Sequence, residues 1–181
     1  MGEVSNLPRV GIVVGSDSDL PPVREAARTL AQLGIEHEVV LASAHRTPDR
    51  AVAYARDAAG RGVGVIIAAA GLAAHLPGVL AAHTTLPVIG LPLAVGALGG
   101  RDALYSMVQM PPGVPVATVG IGAARNAALL AARILAVGDP EVRRHLEEYV
   151  AAMRAAVERE AERLAGVGLE AYLAERGAAG K

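Results

Sequence analysis

Short apolar segments alternate with helix-patterned segments five times along most of this 181-residue chain. The apolar segments are rich in Val, Ile and Ala, and they lie at residues 9–14, 37–41, 63–69, 87–91 and 116–119. Nearly continuous apolar runs are typical of strands that are buried on both faces of a parallel sheet. Because parallel strands need a crossover connection between them, and a helix usually supplies it, the alternation predicts an α/β, doubly wound parallel sheet.

The helices of this sheet are predicted at residues 23–33, 48–60, 73–82, 102–107 and 126–137. Thr47 is expected to cap the second helix, with Pro48 at its first position. Beyond residue 139 there is no further strand, but a long charged helix is predicted at 141–164 and a shorter one at 169–176. We therefore expect a catalytic domain at 1–138 and a helical extension at 139–181. The extension could pack on its own domain or on a neighbouring subunit. Packing on a neighbouring subunit is the preferred hypothesis.

The composition excludes several classes of chemistry. Apolar residues make up 52% of the chain and the net charge is −1, which favours a folded core and disfavours nucleic acid and membranes as partners. Cysteine is absent and Lys181 is the only lysine, so thiolate, Schiff-base and P-loop chemistry are excluded. No H-x-x-x-H spacing occurs, and no metal or other cofactor is expected. Neither a signal peptide nor an apolar run long enough to span a membrane is visible, so the expected location is cytoplasmic.

Polar residues follow three of the predicted strands, at the ends where a doubly wound sheet binds its ligands. Ser16 and Asp19 belong to the first cluster, Ser43 to the second, and Gly71 to the third. The first cluster opens a helix, whose unpaired backbone N–H groups suit an oxyanion. Simple capping of that helix is the alternative interpretation.

His45 and Arg46 are the most informative pair in the chain. An arginine can hold a phosphate or carboxylate with two parallel hydrogen bonds, and a neighbouring histidine can exchange a proton near neutral pH. The alternative is that both are solvated surface side chains. His75 is the second candidate for acid–base chemistry, although a hydrogen-bonded core histidine is equally compatible with its Ala-rich surroundings. The other three histidines are given no role, and His145 is expected to be exposed.

Six motifs occur in a fixed order along about residues 9–136 and carry a family resemblance. They are GSDSD, SAHRTPD, AAHLPG, LPVIGLPL, VQMPPGVPVATVGIG and NAALLAARIL. Each motif alone is weak, but the ordered set is specific. The chain closely resembles the N5-carboxyaminoimidazole ribonucleotide mutases of purine biosynthesis, also called the catalytic subunit of phosphoribosylaminoimidazole carboxylase.

The resemblance implies a three-layer, flavodoxin-like fold and a homo-octamer with active sites at subunit contacts. It implies transfer of the carboxylate on the exocyclic nitrogen of a small ribonucleotide to C4 of its imidazole ring, without metal, ATP or organic cofactor. A transient contact with the carboxyaminoimidazole ribonucleotide synthetase is a further expectation. Position by position, the resemblance implies that His45 is the general acid–base. It implies that Ser16 and Asp19 bind the ribose phosphate and that Arg46 pairs with the phosphate. The positions that line the imidazole and carboxylate pocket are Ser43, Gly71, His75 and Leu76.

The sequence departs from the family pattern at a few positions near the predicted pocket. Leu72 stands where the family usually has glycine, and Ala94, Val95 and Gly99 replace its usual residues after the fourth strand. The loop before Asn126 is about two residues shorter than usual. The short loop motivates one alternative function, direct carboxylation of aminoimidazole ribonucleotide with free CO₂. The pocket changes motivate another, a non-catalytic ribonucleotide-binding subunit.

Overall fold

Five parallel strands form a single sheet in this computed structural model, which describes residues 9–179. The strands are β1 (Arg9–Val14), β2 (His37–Leu41), β3 (Val63–Ala70), β4 (Val88–Pro92) and β5 (Ala117–Thr118), in the spatial order β2-β1-β3-β4-β5. This is the strand order of flavodoxin-like sheets, in which ligands bind where the order reverses beyond the ends of β1 and β3. The predicted fold class is confirmed.

Helices cover both faces of the sheet and create two hydrophobic cores. They are α1 (Leu20–Gln32), α2 (Pro48–Asp57), α3 (Leu76–Ala81), α4 (Arg101–Val108) and α5 (Ala124–Leu135). Side chains alternate across each strand, so Ile12 and Ile67 enter the core with α1 and α5, while Ile66 enters the core with α2, α3 and α4. All three of these isoleucines are fully buried. The resulting three layers hold the strand ends, and the loops that follow them, in fixed positions.

The predicted strands agree with the structure to within two residues, but two helices begin three residues away from their predicted starts. α1 begins at Leu20 instead of residue 23, because Pro21 and Pro22 fit the first turn of a helix, where no intrahelical N–H bond is required. α3 begins at Leu76 instead of residue 73. Residues 71–75 form an irregular loop in which Leu72 adopts the left-handed φ of 55°. That backbone conformation ends β3 and delays the helix.

The far edge of the sheet carries a hydrogen-bonded cluster around Tyr54, a buried residue of α2. Its hydroxyl donates to the Glu38 carboxylate on β2 at 3.0 Å, and Arg61 donates to the same carboxylate oxygen at 2.9 Å. The tyrosine hydroxyl lies directly above Gly11 of β1, where a Cβ atom would come within 1.9 Å of it. Glycine at position 11 therefore makes room for the tyrosine that joins α2 to β2.

The C-terminal part of the chain forms a helical hairpin of α6 (Pro140–Val167) and α7 (Leu169–Ala179). Asp139 caps α6 by accepting hydrogen bonds from two backbone N–H groups of its first turn. Val142 and Leu146 are only 1% and 8% exposed and belong to the core with α1 and α5. The first turns of α6 thus pack on their own domain. The last two residues of the predicted extension, 180–181, lie outside the described residues.

The prediction that His145 is exposed was wrong. This residue of α6 is half-buried, and its Nδ1 lies 3.0 Å from the carbonyl oxygen of Leu33 at the end of α1. The α6 segment around it packs on the core through Val142 and Leu146, and His145 lies one helical turn after Val142.

The distal half of the hairpin is held together by its own contacts. Tyr172 of α7 is 9% exposed and donates to a carboxylate oxygen of Glu160 at 2.6 Å, and Arg163 pairs with Glu175. A row of apolar side chains on this half is nevertheless exposed: Val150, Met153, Val157, Leu164 and Val167. Within residues 9–179, none of the helices combines the length and apolar content that a bilayer crossing requires.

Candidate active site

A cavity of about 490 Å³ opens at the carboxyl edge of the sheet, where the loops after β1, β2, β3 and β4 meet. The loops converge because parallel strands place all their carboxyl ends at one edge. The lining residues come from the Gly15–Asp19 loop, the Ser43–Arg46 loop, the segment from Ala70 to Leu76, and Val95 of the loop after β4.

All the site residues that the sequence predicts lie around this one cavity. They are Ser16, Asp19, Ser43, His45, Arg46, Gly71, His75 and Leu76. The chain brings together side chains that are up to 60 residues apart, from Ser16 to Leu76. The histidines that were given no role do not line it. His37, for example, lies on β2, where its Nδ1 is 3.2 Å from the carbonyl oxygen of Ile35.

The two cavity histidines are in direct contact. Nε2 of His45 lies 2.7 Å from Nδ1 of His75, and the rings meet edge to face with centroids 4.9 Å apart. A hydrogen bond between two imidazoles requires one nitrogen to donate and the other to accept, so the pair keeps this bond only while at least one ring is neutral. The contact fixes the orientation of both rings. It leaves Nδ1 of His45 and Nε2 of His75 for a ligand.

Arg46 is anchored by the first loop. Its Nη2 donates to the carbonyl oxygen of Gly15 at 2.7 Å, which fixes the guanidinium between the ends of β1 and β2. The rest of the planar fork faces the cavity and can donate to an oxyanion. The backbone of the loop after β2, which carries Arg46, is held by Ser43. The Oγ of Ser43 accepts a hydrogen bond from the backbone N–H of Arg46 at 3.1 Å.

The predicted cap on the second helix is only partly correct. Thr47 occupies the position before α2, but its side chain makes no capping hydrogen bond to the helix. Its Oγ1 instead accepts from the backbone N–H of Ser43 at 2.9 Å. The threonine therefore closes the loop that carries His45 and Arg46, which is a four-residue turn back onto the end of β2.

The first loop carries two aspartates in different surroundings. Asp17 accepts hydrogen bonds from the Ser16 hydroxyl at 3.0 Å and from the Ser18 backbone N–H at 2.9 Å, so it stabilises its own turn. Asp19 lines the cavity and is half-buried. Burial raises the pKa of the Asp19 carboxyl above its ordinary value. Backbone groups of Ser16 and Gly15 and the Arg46 charge partly offset this rise, and the Asp17 charge adds to it.

A second cavity of about 280 Å³ adjoins the first and shares Gly15, Ser16, Ser43 and Arg46 with it. This second cavity is also lined by Arg50, a residue that the sequence analysis did not single out. Arg50 lies in the first turn of α2, directly after the loop that carries Arg46. A second arginine so soon after the His45-Arg46 pair is the signal that could have identified it.

Two apolar side chains complete the first cavity, Leu72 and Val95. Both positions depart from the family pattern that the sequence resembles, and neither was predicted as a site residue. Val95 lies so close to Gly71 that a Cβ atom there would come within 2.0 Å of its Cγ2. The cavity thus has a polar side, with the histidines, Arg46 and Ser16, and an apolar side formed by the third and fourth loops. Such a site can hold an anionic group at one end and exchange protons with a ligand at the other.

Comparison with known proteins gives a consistent result. A family model described as AIR carboxylase matches residues 9–156. The N5-carboxyaminoimidazole ribonucleotide mutase of Pyrococcus horikoshii is 55% identical over 171 residues, which cover 94% of this chain and 97% of the relative. The mutase of the same name from Thermotoga maritima is 52% identical over 170 residues, 94% of this chain and 99% of the relative. The crystal structure of Treponema denticola PurE aligns with a TM-score of 0.78 and 29% identity, over 90% of this chain and 99% of that chain.

Proposed function

Because the chain belongs to the AIR carboxylase family, we propose that its cavity converts N5-carboxyaminoimidazole ribonucleotide to the 4-carboxy isomer, a mutase step of purine biosynthesis. The observation that carries the proposal is the placement of His45, an acid–base side chain fixed by His75 in the same cavity as Arg46. The relatives named as mutases each cover 94% of the chain, and the family model spans every loop that lines the cavity.

We place the substrate phosphate where the two cavities meet. Ser16 and Arg46 line both of them, and Arg50 adds a second cation from the smaller one. A guanidinium fork and a hydroxyl at a helix start are suited to phosphate oxygens. Asp19, on the ribose side of this point, can accept a hydrogen bond from a sugar hydroxyl. With the phosphate so placed, the imidazole ring of the substrate extends toward the histidine pair.

His45 then carries one proton through both steps of the reaction. In the first, the bond between the exocyclic nitrogen and its carboxyl carbon breaks, CO₂ leaves, and protonated His45 gives its proton to the nitrogen. In the second, C4 of the ring attacks CO₂, a carbon–carbon bond forms, and neutral His45 removes the proton from C4. The ring regains aromaticity and His45 regains its proton, so that protons and electrons balance over the cycle.

His75 is a positioning residue in this scheme. Its Nδ1 holds Nε2 of His45, which leaves Nδ1 of His45 as the nitrogen that meets the substrate. Without a partner, an imidazole on a loop can rotate about two side-chain torsions and present either nitrogen. The contact between the rings therefore orients His45 toward the substrate. The proximity of the bound reactants contributes further to the rate enhancement.

A substrate-choice assay tests the proposed function. The purified chain is offered N5-carboxyaminoimidazole ribonucleotide in one reaction, and aminoimidazole ribonucleotide with modest bicarbonate in another. We expect the 4-carboxy product from the first and little from the second. Product mainly from the second reaction would establish direct carboxylation instead. Binding without product in either would establish a non-catalytic subunit.

We also propose that the chain assembles as a homo-octamer through its helical hairpin. The exposed apolar row from Val150 to Val167 repeats at coiled-coil-like spacing, and such a row is stabilised by packing on another helix. Beside it lies a depression of about 510 Å³ that includes Val150 of the row together with Arg133, Arg143, Glu147 and Arg154. We expect sedimentation to give the mass of eight chains, and Val157→Glu to lower it. A monomeric wild-type chain would contradict this assembly.

Two further parts of the proposal concern the cell. A transient contact with the carboxyaminoimidazole ribonucleotide synthetase would shorten the time that the labile carbamate spends in water. A cytoplasmic location agrees with the chemistry of the substrate, a charged ribonucleotide that a bilayer does not pass. Cross-linking in cell extract and cell fractionation test these two expectations.

A further inference from the structure

We propose that Leu72 and Val95 form an apolar wall that keeps CO₂ inside the cavity between the two bond changes. This inference rests on the proposed mutase reaction and assigns a retention role to two side chains outside the acid–base machinery. We call the pair the cross-loop wall, because Leu72 belongs to the loop after β3 and Val95 to the loop after β4.

The backbone at Leu72 is the first argument. Its φ of 55° makes it the single non-glycine residue with a positive φ among residues 9–179. Glycine adopts this conformation readily, whereas a leucine brings its Cβ too close to the following carbonyl. The side chain is also 55% exposed, so burial in the core does not compensate for the strain. Strain kept in the native state at a cavity is an indication of function.

The second argument is the reciprocal packing of the two loops. Leu72 reaches across to Gly96, where a Cβ atom would come within 2.5 Å of its Cδ2. Val95 reaches back to Gly71, where a Cβ atom would come within 2.0 Å of its Cγ2. Each loop therefore offers a glycine to the apolar side chain of the other. Both contacts depend on the missing Cβ, so they bring the loops closer than ordinary side chains would allow.

The third argument is the match between the wall and the molecule to be retained. Carbon dioxide is small, uncharged and apolar, and it gains little from hydrogen bonds. Leu72 and Val95 face the cavity together with Ala70, Ala73 and Leu76, which are likewise apolar. An apolar surface of this kind offers CO₂ contact beside the ring, and once the bound substrate covers it, it keeps out the water that would hydrate CO₂ to bicarbonate.

Leu72→Gly tests the wall. Glycine relieves the strained φ, so we expect the variant to fold with an unchanged or higher Tm. The substrate carries ¹³C in its carboxylate and the buffer contains unlabelled bicarbonate. Mass spectrometry then gives the label kept in the product, and chromatography gives the aminoimidazole ribonucleotide released. We expect the fraction of turnovers that release CO₂ to rise about fourfold, which corresponds to about 0.8 kcal/mol of lost contact between CO₂ and the leucine side chain.

Leu98→Gly is the matched control. Leu98 lies on the loop after β4, is 56% exposed and does not line the cavity. We expect wild-type label retention in this variant. Val95→Ala removes the other half of the wall without altering a backbone torsion, and it is expected to leak CO₂ as Leu72→Gly does.

Two outcomes separate this inference from the proposed function. If the wild-type chain forms no 4-carboxy product, the mutase proposal itself fails. If the wild-type chain is active but Leu72→Gly and Val95→Ala both retain the label as well as it does, the cross-loop wall is refuted and the mutase proposal stands. Equal leakage in Leu98→Gly would also overturn the inference, because it would trace the loss to general loosening of the loop.

Discussion

The variant His45→Asn should lose between about 10²-fold and 10⁴-fold in kcat, the usual contribution of a positioned acid–base group. Asparagine keeps a polar side chain of similar reach but cannot donate and take back a proton. Both bond changes of the proposed cycle then lack their proton carrier. Because Ser16 and Arg46 remain in place at the other end of the cavity, KM should change little. Steady-state kinetics with the carbamate substrate measures both constants.

The matched control is His83→Asn, the same substitution at a half-buried histidine that does not line the cavity. It should turn over at the wild-type rate. Undiminished kcat in His45→Asn would remove His45 from the mechanism and leave His75, its partner at 2.7 Å, as the remaining acid–base candidate.

Adding a single methyl group to β1, by the substitution Gly11→Ala, should lower the free energy of unfolding by about 1–3 kcal/mol. The new Cβ would lie 1.9 Å from the Tyr54 hydroxyl, which is held by Glu38 at 3.0 Å inside the protein. Either the tyrosine or the strand must move. Chemical denaturation measures the change, with the midpoint expected to fall at constant m-value.

A double-mutant cycle identifies the cause of that loss. In Gly11→Ala combined with Tyr54→Phe the clashing oxygen is gone, and the next ring atom lies 3.1 Å from the new Cβ. The double variant should therefore be more stable than the sum of the single changes predicts. Gly60→Ala, where a Cβ meets nothing within 4 Å, is the control and should be close to neutral. Strict additivity in the cycle would show that the hydroxyl is not responsible.

The sequence predicted the sheet well because buried parallel strands leave a local signature. Residues 63–69 are uncharged and β-branched or small, and the structure extends this strand by only one residue, to Ala70. The helix after it was placed three residues too early, because helical spacing cannot reveal that Leu72 takes a left-handed backbone torsion. The start of this helix is set by a tertiary contact, because Leu72 packs against Gly96 of the loop after β4. A local sequence pattern does not contain that contact.

The location of the site was predictable in the same way, and its internal geometry was not. A polar residue or a glycine within two residues of the end of an apolar strand marks the carboxyl edge of a sheet, which is how Ser16, Ser43 and Gly71 were singled out. The bond between His45 and His75 joins positions 30 residues apart. It depends on the relative positions of the loop after β2 and the loop after β3. No local pattern encodes such a contact, just as none showed that Thr47 binds Ser43 instead of its own helix.

If the proposed assembly forms through the C-terminal hairpin, the structure of the hairpin has a consequence for the way in which subunits associate. Its two helices are joined within the subunit by the hydrogen bond between Tyr172 and Glu160. The first turn of α6 packs in the core of the same subunit through Val142. Subunits that meet through such an arm dock as preformed bodies and do not have to organise a chain segment as they bind. The conformational part of the entropy lost on association is then small, while the translational and rotational part is unchanged.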